Sequence, residues 1–542
     1  MKLRLTNLSL SIASYLILAC LFFYLTSKRS YGQGDTHSLS IEISVSDSLK
    51  KDFKPDGRLF LLFEKYPGWE PRLNPVMGYG YGMFAKNITG WDVDDIQIVH
   101  STKGWDSFLP KSFLLVDDPN AGPTFRKPWD IEKIPEGTYY LQVFWDQNTI
   151  ESKLNSAGNL YSEVIEVNIK GSTNIEISLS KIIPPIEIMD HELVKEVNFL
   201  SDTLTKWWGK ATFLKAAVLL PGEYYKNQGK PYPIRYHISG LGGRYTNVNS
   251  YMKNKDFSNW WLSGGAPQII NVYLDGEGPL GDCYQIDSEY GPYGYALVHE
   301  LIPHIEEKFR GTQSPETRFV SGCSTGGWAS LALQLYYPDF FNGVFSYAPD
   351  PVDFSNFLLV NIYEDKNFYI NEYSILQPAL RNIYGEVSLT MKDLVDQERL
   401  ISPTGHYIES RSVFGVFNQL YSPKDENGRP IPLFNQETGQ IDSLVAEHWK
   451  KYDLLHYTKE NWNSLGPKLQ GKIYIWVGDM DGFYLNTALR KYDEFLKSTE
   501  NPKSDAKIVF EPMKGHCQEA TQINYIKKTA ERLNEINGIK EE

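Results

Sequence analysis

Ser321-Gly322-Cys323-Ser324-Thr325-Gly326-Gly327 is the stretch on which the reading of this chain turns. It follows the apolar run Arg318-Phe319-Val320 and precedes Trp328 to Leu335, which has helical character. Strand, tight turn, helix is the setting in which a Gly-x-Ser-x-Gly match carries meaning. The turn strains the serine backbone, glycines on either side avoid collision, and the hydroxyl is pushed out at the tip. The following helix aims its N-terminal amides at the same point. Ser324 is therefore a candidate nucleophile, set against a chance glycine-rich turn, since the bare pattern is common.

A serine hydroxyl attacks only when a base takes its proton, and an acid must orient that base. In the strand-turn-helix setting the chain order is Ser, then Asp or Glu, then His. His516, in Lys514-Gly515-His516-Cys517, is the one histidine after the apolar run Ile473 to Val477 and is the candidate base. The loop Gly478-Asp479-Met480-Asp481-Gly482-Phe483 supplies the acid, with Asp481 favoured and Asp479 the alternative. Oxyanion stabilisation needs two amides aimed at the developing charge. The amide of Thr325 is one. Leu241, in Ser239-Gly240-Leu241-Gly242-Gly243, is the other, with Gly242 close behind and a plain structural turn as the bland alternative.

Working outward, strands at Phe213–Leu220, Ile234–Ile238, Ile269–Leu274, Phe319–Val320, Val344–Tyr347 and Ile473–Val477 alternate with helical stretches such as Tyr295–Phe309. That alternation implies an α/β domain over 211–542, a mostly parallel sheet with helices on both faces. Between about 351 and 468 it lapses into a Tyr-, Asn- and Trp-rich insertion, read as a cap over the pocket. Residues 38–182 read instead as short period-two strands such as Ser40–Val45, Gly57–Phe63, Tyr139–Phe144 and Val164–Ile169, expected to form a β-sandwich. Its tryptophans Trp91, Trp105 and Trp145 offer stacking surfaces for sugar, with core filling the safer reading. Residues 183–210 read as a connector with some helical character, opened by Pro184-Pro185.

At the N-terminus Lys2 and Arg4 precede an apolar run from Leu8 to Leu25, so residues 1–32 read as a signal peptide or a retained membrane anchor. Ser30-Tyr31-Gly32 favours cleavage after Gly32, while Ile17-Leu18-Ala19-Cys20 only loosely fits a lipoprotein box. Either way the folded part is expected outside the cytoplasm, in contact with a membrane only if that segment is retained. A net charge of −13 over 542 residues argues against a nucleic-acid partner. No clustered His/Cys spacing suggests a metal, and no organic cofactor is required.

The elbow, together with Gly291-Pro292-Tyr293-Gly294 and Glu300-Leu301-Ile302-Pro303, resembles the esterase D branch of the α/β-hydrolase fold over about Phe213 to the C-terminus. That resemblance implies ester chemistry without fixing a substrate. Cys323-Ser324 and His516-Cys517 also resemble tannases and fungal-type feruloyl esterases. There the cysteine before the catalytic serine pairs with the one after the catalytic histidine, which implies a Cys323–Cys517 disulfide and leaves Cys283 free. The expectation is a secreted serine esterase acting through an acyl-enzyme on small-molecule or polysaccharide-linked esters, with acyl or hydroxycinnamoyl groups as candidates. A peptidase or acyltransferase of the same fold and a non-catalytic carbohydrate-binding surface protein are the alternatives.

Overall fold

The computed structural model describes residues 38–68, 70–73, 81–108, 130–148, 151 and 153–539. The expected signal or anchor segment and Cys20 lie outside them. Among the described residues, nine strands between Ser38 and Ile182 hydrogen-bond into one sheet, eight along a single path and Ile165–Ile169 branching from Gly137–Asp146. The long strand Ser172–Ile182 joins its halves, running parallel to Ser38–Val45 and antiparallel to Leu160–Ser162. Along Ser38–Val45 the side chains of Leu39, Ile41, Ile43 and Val45 alternate inward. Gly57–Glu64 behaves differently, because both of its faces are covered. Leu59, Leu61 and Phe63 join the core of the β-rich part, while Phe60 and Leu62 pack with Leu380, Leu389 and Leu400 of the insertion. A strand buried on both sides reads as a continuous apolar run, which is what Leu59 to Phe63 shows.

Trp91, Trp105 and Trp145 are buried. The Trp91 and Trp145 rings meet at 5.1 Å, and Trp145 Nε1 donates to the Lys54 carbonyl at 3.1 Å. They fill a core and offer no face to a sugar.

The second sheet contains β1 (Val194–Leu200), β2 (Phe213–Leu219), β3 (Ile234–Ile238), β4 (Ile270–Leu274), β5 (Arg318–Ser324), β6 (Val344–Pro349), β7 (Ile473–Gly478) and β8 (Lys507–Glu511). Their order is β1-β2-β4-β3-β5-β6-β7-β8. β2 is antiparallel to both of its neighbours and the rest of the sheet is parallel. This is the α/β architecture expected of the hydrolase fold. The expected connector 183–210 is corrected here: it contains β1 and the helix Asp202–Trp208. Both edge strands escaped the sequence reading for one reason. No more than two side chains of either strand are buried, so Val194-Lys195-Glu196-Val197-Asn198 is mostly polar and Lys507-Ile508-Val509-Phe510-Glu511 has an apolar run of only three.

Helix α1 (Thr325–Tyr336) follows β5 directly, and α2 (Gln522–Ile536) closes the chain. Ser346 Oγ donates to the Gly327 carbonyl at 2.8 Å, whereas the Tyr347 ring meets Tyr525 at 4.7 Å. Adjacent strand residues point to opposite faces, so α1 and α2 cover opposite sides of the sheet. The helix expected at 295–309 runs from Tyr293 to Lys308, with a π turn at Leu297–Leu301 just ahead of Pro303. The insertion holds a hairpin (Pro378–Arg381, Val387–Thr390) and the helices Met391–Ile401, Val413–Tyr421, Ser443–Trp449 and Leu454–Leu465.

Candidate active site

Ser324 ends β5 and precedes α1 with φ 58° and ψ −125°, a backbone region that side chains avoid. The elbow permits this because it has no bulk around it. A Cβ on Gly322 would sit 2.2 Å from the Gly326 carbonyl oxygen, and one on Gly326 would sit 2.0 Å from the Ile238 oxygen. The sheet register slips between Cys323 and Ser324, which frees the serine from the ladder.

His516 lies on the loop after β8, and its Nδ1 meets Asp481 Oδ2 at 2.7 Å. Asp481 is fully buried, and its other oxygen accepts from the Phe483 amide at 2.9 Å and the Leu485 amide at 3.3 Å. Asp479 points elsewhere, pairing with Arg490. Arg381 of the insertion hairpin donates Nε to the Asp481 carbonyl at 2.9 Å and Nη2 to the Asp479 carbonyl at 3.0 Å, fixing the loop from above. Burial alone would pull the His516 pKa down; Asp481, and then Asp350, outweigh it and hold the imidazole above the ordinary histidine value. The Cys323–Cys517 disulfide is present, with Cα atoms 6.0 Å apart and 194 residues between them, and it ties the serine loop to the histidine loop. Cys283 is free and buried.

Leu241 and Gly242 behave differently. Gly242 N–H donates to Asp282 Oδ2 at 3.2 Å, and Gly243 N–H closes a turn onto the Gly240 carbonyl at 2.7 Å. Leu241 N–H has no acceptor among the described residues. Thr325 N–H opens α1 and has no intrahelical acceptor. Gly240 lets the two loops approach, since a Cβ there would lie 3.6 Å from Ser324 Cβ. Two unengaged amides, at Leu241 and Thr325, thus flank the serine.

Three groups here were not legible in the sequence. Asp350, just past β6, accepts from Ser324 Oγ at 3.3 Å, Thr325 Oγ1 at 3.1 Å and Tyr284 OH at 2.6 Å. Burial pushes its carboxyl above the usual range, while Tyr284, His516, Thr325 and Ser324 pull the other way. Lys153 reaches in from the β-rich part beside Gly242, on a loop whose Glu151 carbonyl accepts from Arg411 at 2.7 Å. An Asp directly after a strand end is a weak signal for the first; nothing local marks Tyr284 or Lys153. Together with Leu358, Phe417, Phe483 and the residues above, they enclose a cavity of ≈ 550 Å³, within the range of small-molecule sites.

The sequence profile of the family described as "Putative esterase" matches residues 212–522. The chain belongs to that family. Its elbow, its Asp481–His516 pair and the Leu241 and Thr325 amides all lie within the matched residues. Esterase MT1326 and Esterase Rv1288, both of Mycobacterium tuberculosis, are 32% identical to this esterase over 123 residues, 22% of the chain. The match spans 25% of those relatives' own length. Among solved structures, a ferulic acid esterase aligns with TM-score 0.40 at 15% identity, over 62% of this chain and 98% of that one. An S-formylglutathione hydrolase from Agrobacterium tumefaciens aligns with TM-score 0.37 at 15% identity, over 64% and 99%.

Proposed function

We propose that this esterase hydrolyses carboxylic esters outside the cytoplasm through an acyl-enzyme on Ser324, the acyl or hydroxycinnamoyl groups being carried on polysaccharide. The observation that carries the reading is the buried Asp481 bonded to His516 at 2.7 Å, beside a serine strained at the tip of its turn. Aromatic walls at Tyr284, Phe417 and Phe483 suit a flat acyl group. The disulfide suits an oxidising compartment.

The Ser324 hydroxyl donates to Asp350 at 3.3 Å and must turn from it to His516 Nε2 for the reaction to begin. His516 takes the proton as Ser324 Oγ bonds to the ester carbon, and Asp481 stabilises the imidazolium that forms. The carbonyl oxygen becomes an oxyanion that accepts from the Leu241 and Thr325 amides. Collapse breaks the ester C–O bond, and the alcohol leaves with the proton from His516. Water then attacks the acyl-enzyme with His516 again as base. Residues 38–182 serve as an accessory domain that braces the insertion through Phe60, Leu62 and Leu400, and through Arg58 Nε to the Leu400 carbonyl at 2.8 Å.

A panel of p-nitrophenyl acyl esters and methyl hydroxycinnamates, run beside fluorophosphonate labelling, tests the reading. Turnover is expected together with covalent label on the Ser324 peptide, both absent from Ser324→Ala. An unlabelled Ser324 in a folded protein without turnover would overturn it.

A further inference from the structure

The Leu241 amide can serve an oxyanion only if the turn that carries it is held still, and the turn's own composition does little to hold it. Gly240, Gly242 and Gly243 leave its backbone free to take several shapes. The Gly243 N–H bonds the Gly240 carbonyl at 2.7 Å, and φ is 68° at Gly242 but not positive at Leu241, which is the type II form. Type I, the commoner turn, differs by a flip of the Leu241–Gly242 peptide and is open to the same residues. The Lys153 stem packs over Gly242 from outside, but its end is flexible and cannot choose between the two.

Asp282 makes the choice. Its Oδ2 accepts the Gly242 N–H at 3.2 Å, and among the described residues it is the one side chain that takes an amide of this turn. A flipped peptide would set the Leu241 carbonyl against that carboxylate. The other oxygen, Oδ1, accepts the Tyr284 N–H at 3.0 Å. Tyr284 has φ 52° and reaches the far border of the site. Its hydroxyl donates to Asp350 at 2.6 Å and lies 3.3 Å from Thr325 Oγ1. One carboxylate thus grips both the Leu241 turn and the segment that touches Thr325. Asp282 is buried, and burial, helped by Glu277 and Asp275, raises its carboxyl to about 7 against the pull of the two amides. A carboxylate kept in such disfavouring surroundings, directly behind the Gly242 wall of the cavity, marks a functional position.

We propose that Asp282 is the positioning residue of the oxyanion hole, its two oxygens holding the Leu241 turn and the Tyr284 segment at one fixed spacing. The proposal rests on Ser324 being the reacting centre and on the Leu241 and Thr325 amides receiving the oxyanion. Fixed donors make such a hole effective, since they need no reorganisation as charge develops. A carboxylate meets both amides, whereas an asparagine accepts through one oxygen and turns its N–H2 on the other amide. The sign of the effect is diagnostic. A negative charge behind the hole opposes the oxyanion, so removing it would raise kcat if charge alone mattered, while loss of position lowers kcat.

Steady-state kinetics of Asp282→Asn in the full chain, normalised to folded sites by fluorophosphonate titration, tests the assignment. Its kcat is expected to fall about tenfold to a hundredfold with KM little changed, somewhat less than the loss of a hole donor outright. A trifluoromethyl ketone gives an independent reading. Its carbonyl carbon bonds to Ser324 Oγ as the proton passes to His516, which leaves its oxygen as an oxyanion in the hole. Affinity for it should drop by the same factor as kcat. Asp282→Ala meets neither amide and should lose more on both counts, and the normalisation keeps either variant readable if part of it fails to fold. An unchanged or raised kcat, a loss confined to KM, or a trifluoromethyl ketone affinity that does not follow kcat would overturn the assignment. Failure of the esterase reading shows separately, as an unlabelled Ser324 in wild-type protein.

Discussion

The β-rich part and the α/β part are both built from short strands around aromatic cores, yet they differ in what they tolerate. From Ser38 to Cys283 no described residue other than glycine has positive φ, whereas from Tyr284 to Cys517 twelve do. Four of those, Tyr284, Ser324, Leu358 and Cys517, line the cavity. Among the described residues, buried side-chain polar atoms without a partner all lie in the α/β part, at Tyr232 or beyond. Each strained residue costs roughly 1–3 kcal/mol and survives only where its surroundings over-determine it. The first region is arranged for stability alone. The second carries strained residues, four of them in the cavity wall.

That contrast breaks most visibly at Ser324. Replacing Ser324 or His516 by Ala should cost on the order of a millionfold in kcat, since members of such a set act as a unit. Ser324→Gly should be equally inactive but more stable by roughly 1 kcal/mol in urea unfolding, because glycine adopts the same backbone without strain. An unchanged unfolding midpoint would mean the elbow stores nothing. Within the acid loop, Asp481→Asn should lower kcat about ten-thousandfold by favouring the wrong imidazole tautomer. Asp479→Asn, which loses only the pair with Arg490, should change it little. Steady-state kinetics on the two variants decides the point, and the reverse order would move the acid to Asp479.

In the other region the expected signature inverts. Trp145→Ala removes a fully buried side chain and should cost about 3–5 kcal/mol of stability. The folded fraction should still turn over at the normal rate, measured by active-site titration. Reduction of the Cys323–Cys517 bond lies between the two cases. It opens a long loop, a loss of roughly 2–4 kcal/mol, and it also frees the base to drift from the nucleophile, so activity should fall before the fold does. Parallel assays of turnover and near-UV dichroism along a reductant series would show whether the order holds.

What was legible in the sequence follows the same physics. The elbow could be read because its constraint is local: Gly322 and Gly326 are dictated by collisions within a few residues. Asp481 could be favoured over Asp479, but how the loop backbone turns beneath Arg381 could not be read. Leu241 could likewise be placed ahead of Gly242, but that Asp282, forty positions on, takes the Gly242 amide could not be read. Arg235 sits inside the apolar strand Ile234–Ile238 and looks like a surface residue until Asn271, Ser321 and Gln522 are seen to surround it. Asp350 had no motif at all. Its role is defined by three hydroxyls from two segments, Ser324-Thr325 and Tyr284.

Asp350 also gives the smallest and most discriminating test. Burial pulls the His516 pKa down, and the Asp350 charge, after that of Asp481, helps to hold it above the ordinary value. Only neutral His516 accepts the Ser324 proton, so the acid limb of kcat/KM should lie above the pH at which a free histidine titrates, with activity falling as pH drops through it. Asp350→Asn keeps the hydrogen bonds to Ser324 and Tyr284 within reach but removes the negative charge. The imidazolium then loses a partner, the His516 pKa falls, and the acid limb moves to lower pH. The displacement should be smaller than the one Asp481→Asn produces, because Asp481 touches the ring and Asp350 does not. The same linkage has a sign in stability. The raised His516 pKa contributes stability that is full below the unfolded histidine value and is lost as pH rises through the folded one. Asp350→Asn should therefore flatten that part of the pH dependence of urea unfolding. A kcat/KM profile that keeps its acid limb, with a loss that is uniform across pH, would show that Asp350 merely positions the serine hydroxyl and has no electrostatic hold on the base.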